Sequence, residues 1–246
     1  MSQGPVDKAA QRGVPSLVWR AGQDRRLAMI TTAAGQRLNG RTLVDGSGMG
    51  IYLARLAEST SGQVVGLEIE FPRCQEARQR ADQVVNGIGE ELPFPEGSFD
   101  LVLSHEVLEH VEDDDHVIAE VMRTLRPGGR LVLLCPNRGY PFETHGIYWR
   151  GRYHFGNIPL VNYLPRRWRD RLVPHVRAYT RRDLERCFAD LPVRYVERTV
   201  IFGAYDNIIA RFGAAGRLLR FVLQALENTP LRVLGLSHFW VIEKTD

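Results

Sequence analysis

The chain reads as an α/β protein built on one doubly wound, mostly parallel sheet, and three observations predict this. Leu43-Val44-Asp45 runs into Gly46-Ser47-Gly48-Met49-Gly50 and then straight into a helical pattern. Glycines at that spacing let a strand turn sharply into a helix with its backbone against a bound molecule. Val64-Val65-Gly66-Leu67-Glu68 is a second apolar strand, ending in a carboxylate 20 residues beyond Gly48, the spacing at which such sheets set an acid on ribose hydroxyls. Phe99, Leu101, Val102 and Leu103 form a nearly unbroken apolar run, as a strand covered on both faces requires.

The remaining elements follow in order. Residues 1–15 are expected to be flexible, and 17–34 to form an N-terminal helix over the ligand. Strands are expected at 41–45, 63–68, 84–88, 99–104 and 130–135. The helix after Gly50, to about residue 59, presents free N–H groups and a positive dipole end to the glycine turn. The segment 114–125 places Val117, Ile118, Val121, Met122 and Leu125 on one stripe, with an acidic start and Arg126-Pro127-Gly128 as its stop. Thr180 reads as an N-cap with Asp183 three residues on, and its helix is expected to reach about residue 190. Strands at 193–201 and 237–244 complete the pattern.

A dinucleotide fingerprint, G-x-G-x-x-G, would need glycine at position 51, where Ile51 stands; Gly46, Gly48 and Gly50 are spaced G-x-G-x-G instead. Residues 91–137 supply the rest of the pattern. They run Glu-Leu-Pro-Phe-Pro-Glu-Gly-Ser-Phe-Asp-Leu-Val-Leu-Ser-His-Glu-Val-Leu-Glu-His-Val through Leu-Arg-Pro-Gly-Gly-Arg-Leu-Val-Leu-Leu-Cys-Pro-Asn. Together with the glycine turn, this stretch resembles class I S-adenosylmethionine-dependent methyltransferases, type 11 subgroup, over residues 42–137. The resemblance implies a Rossmann-like seven-stranded sheet with the last strand antiparallel, and S-adenosylmethionine as cofactor. It also implies site residues. Asp45, Gly46, Ser47, Gly48 and Gly50 match the motif that wraps the cofactor, Glu68 the acid on the ribose, and Ile69 the apolar residue beside the adenine. Ser104 and His105 match the end of the fourth strand, near the sulfonium. Ile88 departs from the family, which often carries an aspartate there for the adenine amino group; apolar contact and backbone near Gly89 are expected to replace it. Glu109 and His110 belong to the same string and are expected to cap and pack the next helix start.

Composition narrows the class. With 246 residues and 44% hydrophobic content, the chain suits a single α/β domain over 1–246 with insertions. Cys74, Cys135 and Cys187 form no C-x-x-C pair and read as reduced thiols. No signal peptide or membrane span is expected, which points to a cytoplasmic protein. Lys8 and Lys244 are the only lysines, so 30 of the 32 basic residues are arginine. Between 147 and 182 stand nine arginines and one acid, Asp170, a basic stretch that would attract an anionic partner or simply be solvated.

Ligands of open α/β sheets bind beyond the carboxyl ends of the strands. Two insertions leave from those ends, 136–179 and 203–235, and both are assigned to the acceptor side. In the first, Glu143 and His145 are acid–base candidates together with His105, or else groups that fix the loop; His175 is a further candidate. A metal site from Glu143, His145, His154 and His175 lacks a recognised ligand spacing, and no metal is expected. The second insertion is basic and amphipathic, interrupted by Gly213 and Gly216; it would rest on an anionic membrane surface peripherally, line an apolar pocket, or pack on the domain. The expected function is methyl transfer to a small-molecule acceptor, apolar or lipid-linked, with oxygen favoured. Ser104-His105-Glu106-Val107 stands where amino-directed enzymes carry Asn-Pro-Pro-Tyr or Asp-Pro-Pro-Tyr, which argues against nucleic-acid bases. The alternatives are an RNA- or protein-directed enzyme using the basic 147–182 segment, or a cofactor-binding protein without catalysis.

Overall fold

The computed structural model describes residues 19–246; the expectations for residues 1–15, and for a helix beginning at 17, lie outside them in whole or in part. Seven strands form the central sheet in the order β10-β11-β5-β4-β1-β2-β3: β1 (Arg41–Asp45), β2 (Gln63–Glu68), β3 (Val84–Asn86), β4 (Phe99–His105), β5 (Leu125–Pro136), β10 (Val193–Ile201) and β11 (Ser237–Lys244). β11 runs antiparallel to both neighbours, while β1, β2, β3, β4 and β5 are mutually parallel. This is the expected sheet, last strand included.

Alternation along the strands explains why the sheet is buried on both faces. Leu43, Val65, Val102, Leu133 and Trp240 point to one layer, shared with Val117, Ile118, Val121 and Met122 of α4 (Asp114–Thr124) and Leu184 of α6 (Arg181–Cys187). Val44, Val64, Leu103, Val132 and Phe239 point to the other, shared with Ile30 and Ala34 of α1 (Ala21–Ala34), Leu53 and Leu56 of α2 (Ile51–Glu58), and Cys74 of α3 (Phe71–Ala77). All three cysteines are free.

Several boundaries differ from expectation. β3 stops at Asn86, and Ile88 instead bridges back to Glu91. α4 ends at Thr124 because Leu125 takes an extended ψ of 138° and pairs with Phe99, so β5 begins five residues early. α6 ends at Cys187, but its start is as read: Thr180 accepts from Asp183 N–H while the Asp183 side chain accepts from Thr180 N–H. The stretch 136–179 is less irregular than expected. It holds two small antiparallel pairs, β6 (Phe142–Glu143) with β9 (Ile158–Pro159) and β7 (Ile147–Trp149) with β8 (Arg152–His154), followed by α5 (Arg166–Leu172).

The second insertion forms α7 (Asp206–Phe212) and α8 (Ala214–Ala225). Gly213 separates them, but Gly216 does not interrupt α8: its missing side chain lets the helix lie on α7, where a Cβ would stand 2.7 Å from Ile209 Cα. The apolar stripe of α8 is not packed on the domain, since Leu218 is 64% and Phe221 71% exposed. The basic stretch 147–182 is not a bare charged face either. Arg166 pairs with Asp183, Arg169 with Glu143, Arg177 with Asp114 and Arg181 with Glu185. Among the described residues, no helix is long and apolar enough to cross a membrane.

Candidate active site

The glycine turn after β1 is held in a conformation that only glycine adopts freely. Gly46, Gly48 and Gly50 have φ of 66°, 55° and 81°. A Cβ on Gly46 would lie 2.2 Å from Val107 Cγ2, and one on Gly50 2.9 Å from Ala77 Cα. The turn is tied to β2 twice: Ser47 N donates to Leu67 O at 2.7 Å, and Gly48 N donates to Glu68 Oε2 at 2.8 Å. The other Glu68 oxygen accepts from Glu70 N at 2.9 Å. Around this turn lie an unpartnered buried hydroxyl, Ser47 Oγ, and two exposed apolar side chains, Ile69 (51%) and Ile88 (40%). A Cβ on Gly89 would be in ordinary contact with Asp45 Oδ1, at 3.6 Å.

Asp45 is buried and accepts from Ser104 Oγ at 3.1 Å. Burial pushes its carboxyl up to about 6; the charges of Glu90 and Glu68 add to this and the Ser104 hydrogen bond opposes it. The folded state therefore binds a proton here more tightly than the unfolded chain does, and stability falls as pH rises from about 4 to about 6. Asp45→Asn, which keeps an oxygen for Ser104, is expected to match wild type below pH 4 and to exceed it by about 3 kcal/mol above pH 6, without added ligand. Urea denaturation at pH 4 and pH 7.5 checks this; an equal difference at both values rejects it.

A cavity of about 120 Å³ opens at the carboxyl ends of β4 and β5, lined in part by Arg26, Glu106, Tyr140, His145, Asn162 and Ser237. Its far wall is a buried chain of polar groups from the first insertion. Arg169, 2% exposed, donates from Nη2 to Glu143 Oε2 at 2.8 Å, from Nε to Asn162 Oδ1 at 3.1 Å, and from Nη1 to Val176 O at 3.0 Å. Glu143 Oε1 in turn meets His145 N at 2.9 Å and His145 Nδ1 at 3.1 Å. Burial works against the charged forms of both Glu143 and His145, but their mutual hydrogen bond and the charges of Arg169 and Glu106 prevail: Glu143 is held below the usual carboxylate range, and His145 above the usual imidazole value.

His105 stands differently. Its Nε2 lies 3.1 Å from Arg26 Nη1, and since a guanidinium only donates, Nε2 accepts. The ring also packs edge-on against Tyr52 at 4.7 Å. Burial, then the Arg26 charge, push its pKa down to about 4. Near neutral pH it is uncharged with that lone pair engaged, which suits a positioning group rather than a proton acceptor.

The structure corrects the reading of Glu109 and His110. α4 is capped by Asp113, whose side chain accepts from His116 N at 3.0 Å; neither Glu109 nor His110 caps it. Glu109 is 2% exposed, and it gathers with Glu106 and His145 so that one donor atom from each lies within 4.8 Å of the others. Glu106 adopts φ 58°, a left-handed backbone unusual for glutamate, which turns the chain back after β4. The set Glu143, His145, His154 and His175 does not converge: His154 is exposed, and His175 Nε2 bonds to His145 O at 3.2 Å. Arg26, Glu106, Asn162 and Arg169 were not singled out from sequence. Only the Glu-x-x-Glu-His spacing at 106–110 carried a signal that could have been read.

A family model described as a methyltransferase domain matches residues 43–133, taking in the glycine turn, Glu68 and the 104–110 string and stopping before both insertions. The 27-O-demethylrifamycin SV methyltransferase of Amycolatopsis mediterranei is 39% identical over 118 residues, 45% of this chain and 42% of that protein. A ubiquinone/menaquinone biosynthesis C-methyltransferase of Desulfotalea psychrophila is 33% identical over 173 residues, 62% of this chain and 70% of that protein. The chain belongs to the S-adenosylmethionine-dependent methyltransferases, type 11 subgroup. An S-adenosylmethionine-dependent methyltransferase of Mesorhizobium loti shares the fold, with a TM-score of 0.63, 19% identity and coverage of 91% of this chain and 98% of that one. The chain spans about half the length, or less, of the first curated relatives it matches.

The cleft beside the glycine turn fits the family's cofactor. S-adenosylmethionine carries positive charge, and Asp45, Glu68 and Glu90 surround the turn with negative charge. The exposed Ile69 and Ile88 offer apolar surface for an aromatic base. Ser47 Oγ is a buried polar atom awaiting a partner.

Proposed function

We propose that this chain transfers a methyl group from S-adenosylmethionine to an oxygen of a small-molecule acceptor seated in the cavity above β4 and β5. Asp45, Gly46, Ser47, Gly48, Gly50, Glu68, Ile69, Ile88, Gly89 and Ser104 would hold the cofactor, which supplies a sulfonium-activated methyl group. The observation that carries the reading is the position and polarity of the cavity: it opens at the sheet end that holds the glycine turn, and Glu106 and His145 stand on its wall. The Glu106 carboxylate, and the His145 imidazole once it has lost its own proton above its raised pKa, can take a hydrogen bond from an acceptor hydroxyl and receive its proton as the oxygen is alkylated. Arg169 and Glu143 orient His145 for this, and His105 and Arg26 hold the opposite side. The rest of the task is placement, since a preactivated methyl group needs a nucleophile in line at near-attack distance. The names of relatives support a small acceptor: one names 27-O-demethylrifamycin SV and the other ubiquinone and menaquinone biosynthesis.

The test combines binding and turnover. The purified chain is titrated calorimetrically with S-adenosylmethionine, its demethylated product and NAD, and then assayed against hydroxyl-bearing phenolic and polyketide acceptors. S-adenosylmethionine is expected to bind and NAD not to. His145→Ala is expected to lower turnover by about 100-fold or more while changing S-adenosylmethionine affinity less than about twofold. Undiminished turnover in that variant removes His145 from the acceptor site, and binding of NAD alone overturns the methyltransferase reading.

A further inference from the structure

We propose that Glu106, Glu109 and His145 form a binding site for a divalent first-row metal ion on the wall of the acceptor cavity. One donor atom from each residue lies within 4.8 Å of the other two. Ligands sharing one ion at about 2.0–2.2 Å stand about 3–4 Å apart, so small side-chain adjustments close the set. The state of Glu109 points the same way. Its side chain is 2% exposed, yet among the described residues no N–H or hydroxyl donor of another residue reaches either carboxylate oxygen, and the Glu106 carboxyl stands against it. Buried carboxylates are almost always paired, hydrogen-bonded or bound to metal. Two buried carboxylates facing each other cannot both stay charged unless a proton or a cation lies between them. A cation at this point would satisfy both acids.

His145 is prepared for the same role. Its Nδ1 is engaged by Glu143 Oε1 at 3.1 Å, so in the neutral ring Nε2 is the nitrogen that offers a lone pair, and an ion bound there would displace the ring's second proton. Metal-ligating histidines characteristically have the far nitrogen bonded to a carboxylate, which fixes the tautomer and the ring. Here that carboxylate is itself fixed by the buried Arg169. The neighbouring His110 stands edge-on with ring centroids 6.1 Å from His145, and its Nδ1 is buried without a partner. Two carboxylates and an imidazole favour Mn²⁺, Fe²⁺, Co²⁺ or Zn²⁺ over the oxygen-seeking Mg²⁺ and Ca²⁺. With an ion bound, Glu106 and His145 would hold it instead of taking the proton themselves, and the ion would coordinate the acceptor oxygen and ease loss of its proton to solvent; that part rests on the function proposed above, whereas the ion's binding does not. Without an ion, Glu106 and Glu109 would share a proton.

The experiment strips the full chain with EDTA. It is then titrated with Mn²⁺ followed by electron paramagnetic resonance and with Zn²⁺ followed by calorimetry, with S-adenosylmethionine titrated in parallel. One ion per chain is expected, with micromolar affinity and a rise in thermal midpoint. Glu109→Gln, close in shape, is expected to weaken the ion at least tenfold while leaving S-adenosylmethionine affinity unchanged, and His145→Gln to weaken it likewise. Absence of binding at 1 mM Mn²⁺ or Zn²⁺, or binding unaltered in both variants, overturns the site. S-adenosylmethionine binding without ion binding rejects the metal site alone. Ion binding without S-adenosylmethionine binding supports the metal site and rejects the methyltransferase reading.

Discussion

Arg169→Met is expected to destabilise the protein by about 3–5 kcal/mol, the loss found when one partner of a buried ion pair is removed. Arg169 and Glu143 are each 2% exposed, and the guanidinium reaches three acceptors on different parts of the first insertion: Glu143 on β6, Asn162, and the Val176 carbonyl. Methionine fills similar volume but makes none of these bonds, so Glu143 would remain charged and buried with only His145 beside it. Two further observations distinguish this from general loss of packing. The Glu143 carboxyl, now held low in part by Arg169, should rise, so the destabilisation should shrink at acidic pH, where a protonated Glu143 is tolerated. Glu143→Gln combined with Arg169→Met should cost less than the sum of the two single changes, because no lone charge is left buried. Urea denaturation of the four proteins measures all of this. A loss below about 1 kcal/mol for Arg169→Met would show that the pair is not what holds the cavity wall.

Glu68→Ala is expected to weaken S-adenosylmethionine binding by about 100-fold or more. Two hydrogen bonds to a charged acceptor contribute about 1.5–3 kcal/mol each, and tenfold in affinity is about 1.4 kcal/mol. The same carboxylate also holds the cleft, accepting from Gly48 N at 2.8 Å and Glu70 N at 2.9 Å. Its removal leaves two backbone N–H groups without partners, at about 1–3 kcal/mol each where they are buried. Part of the affinity loss would then come from a loosened glycine turn. Glu68→Gln separates the effects, since it keeps one acceptor oxygen and the side-chain volume. Its affinity should fall between those of wild type and Glu68→Ala. A folded Glu68→Ala protein that binds within tenfold of wild type would place the cofactor elsewhere.

The cofactor half of this protein is written locally, and this is why it could be read. Gly46, Gly48 and Gly50 are needed because the backbone itself takes left-handed angles there, and Val107 and Ala77 leave no room for side chains. The strands were visible as apolar runs because both sheet faces are covered, and Thr180 with Asp183 announced a helix start through a bond three residues long. Boundaries slipped where pairing between strands overrode local preference, as at Leu125, which joins β5 through Phe99.

Residues 41–50, 63–68 and 99–104 thus differ from the cavity side in kind. Nothing in the spacing of Arg169 shows that it will sit beside Glu143, 26 residues earlier. Nor could Arg26 be matched to His105, 79 residues on, and thereby remove that histidine's free lone pair. Glu109 looked like helix-start punctuation until folding brought His145 near it and left its carboxylate buried against Glu106 with no donor from another residue. The sequence by itself determined the sheet, the glycine turn and the cofactor class, because these depend on backbone angles and on apolar patterns within one element. Only the tertiary structure decided which charged side chains meet at the cavity above β4 and β5. Their burial and pairing come from contacts across the chain, and those set both their charge and their chemistry.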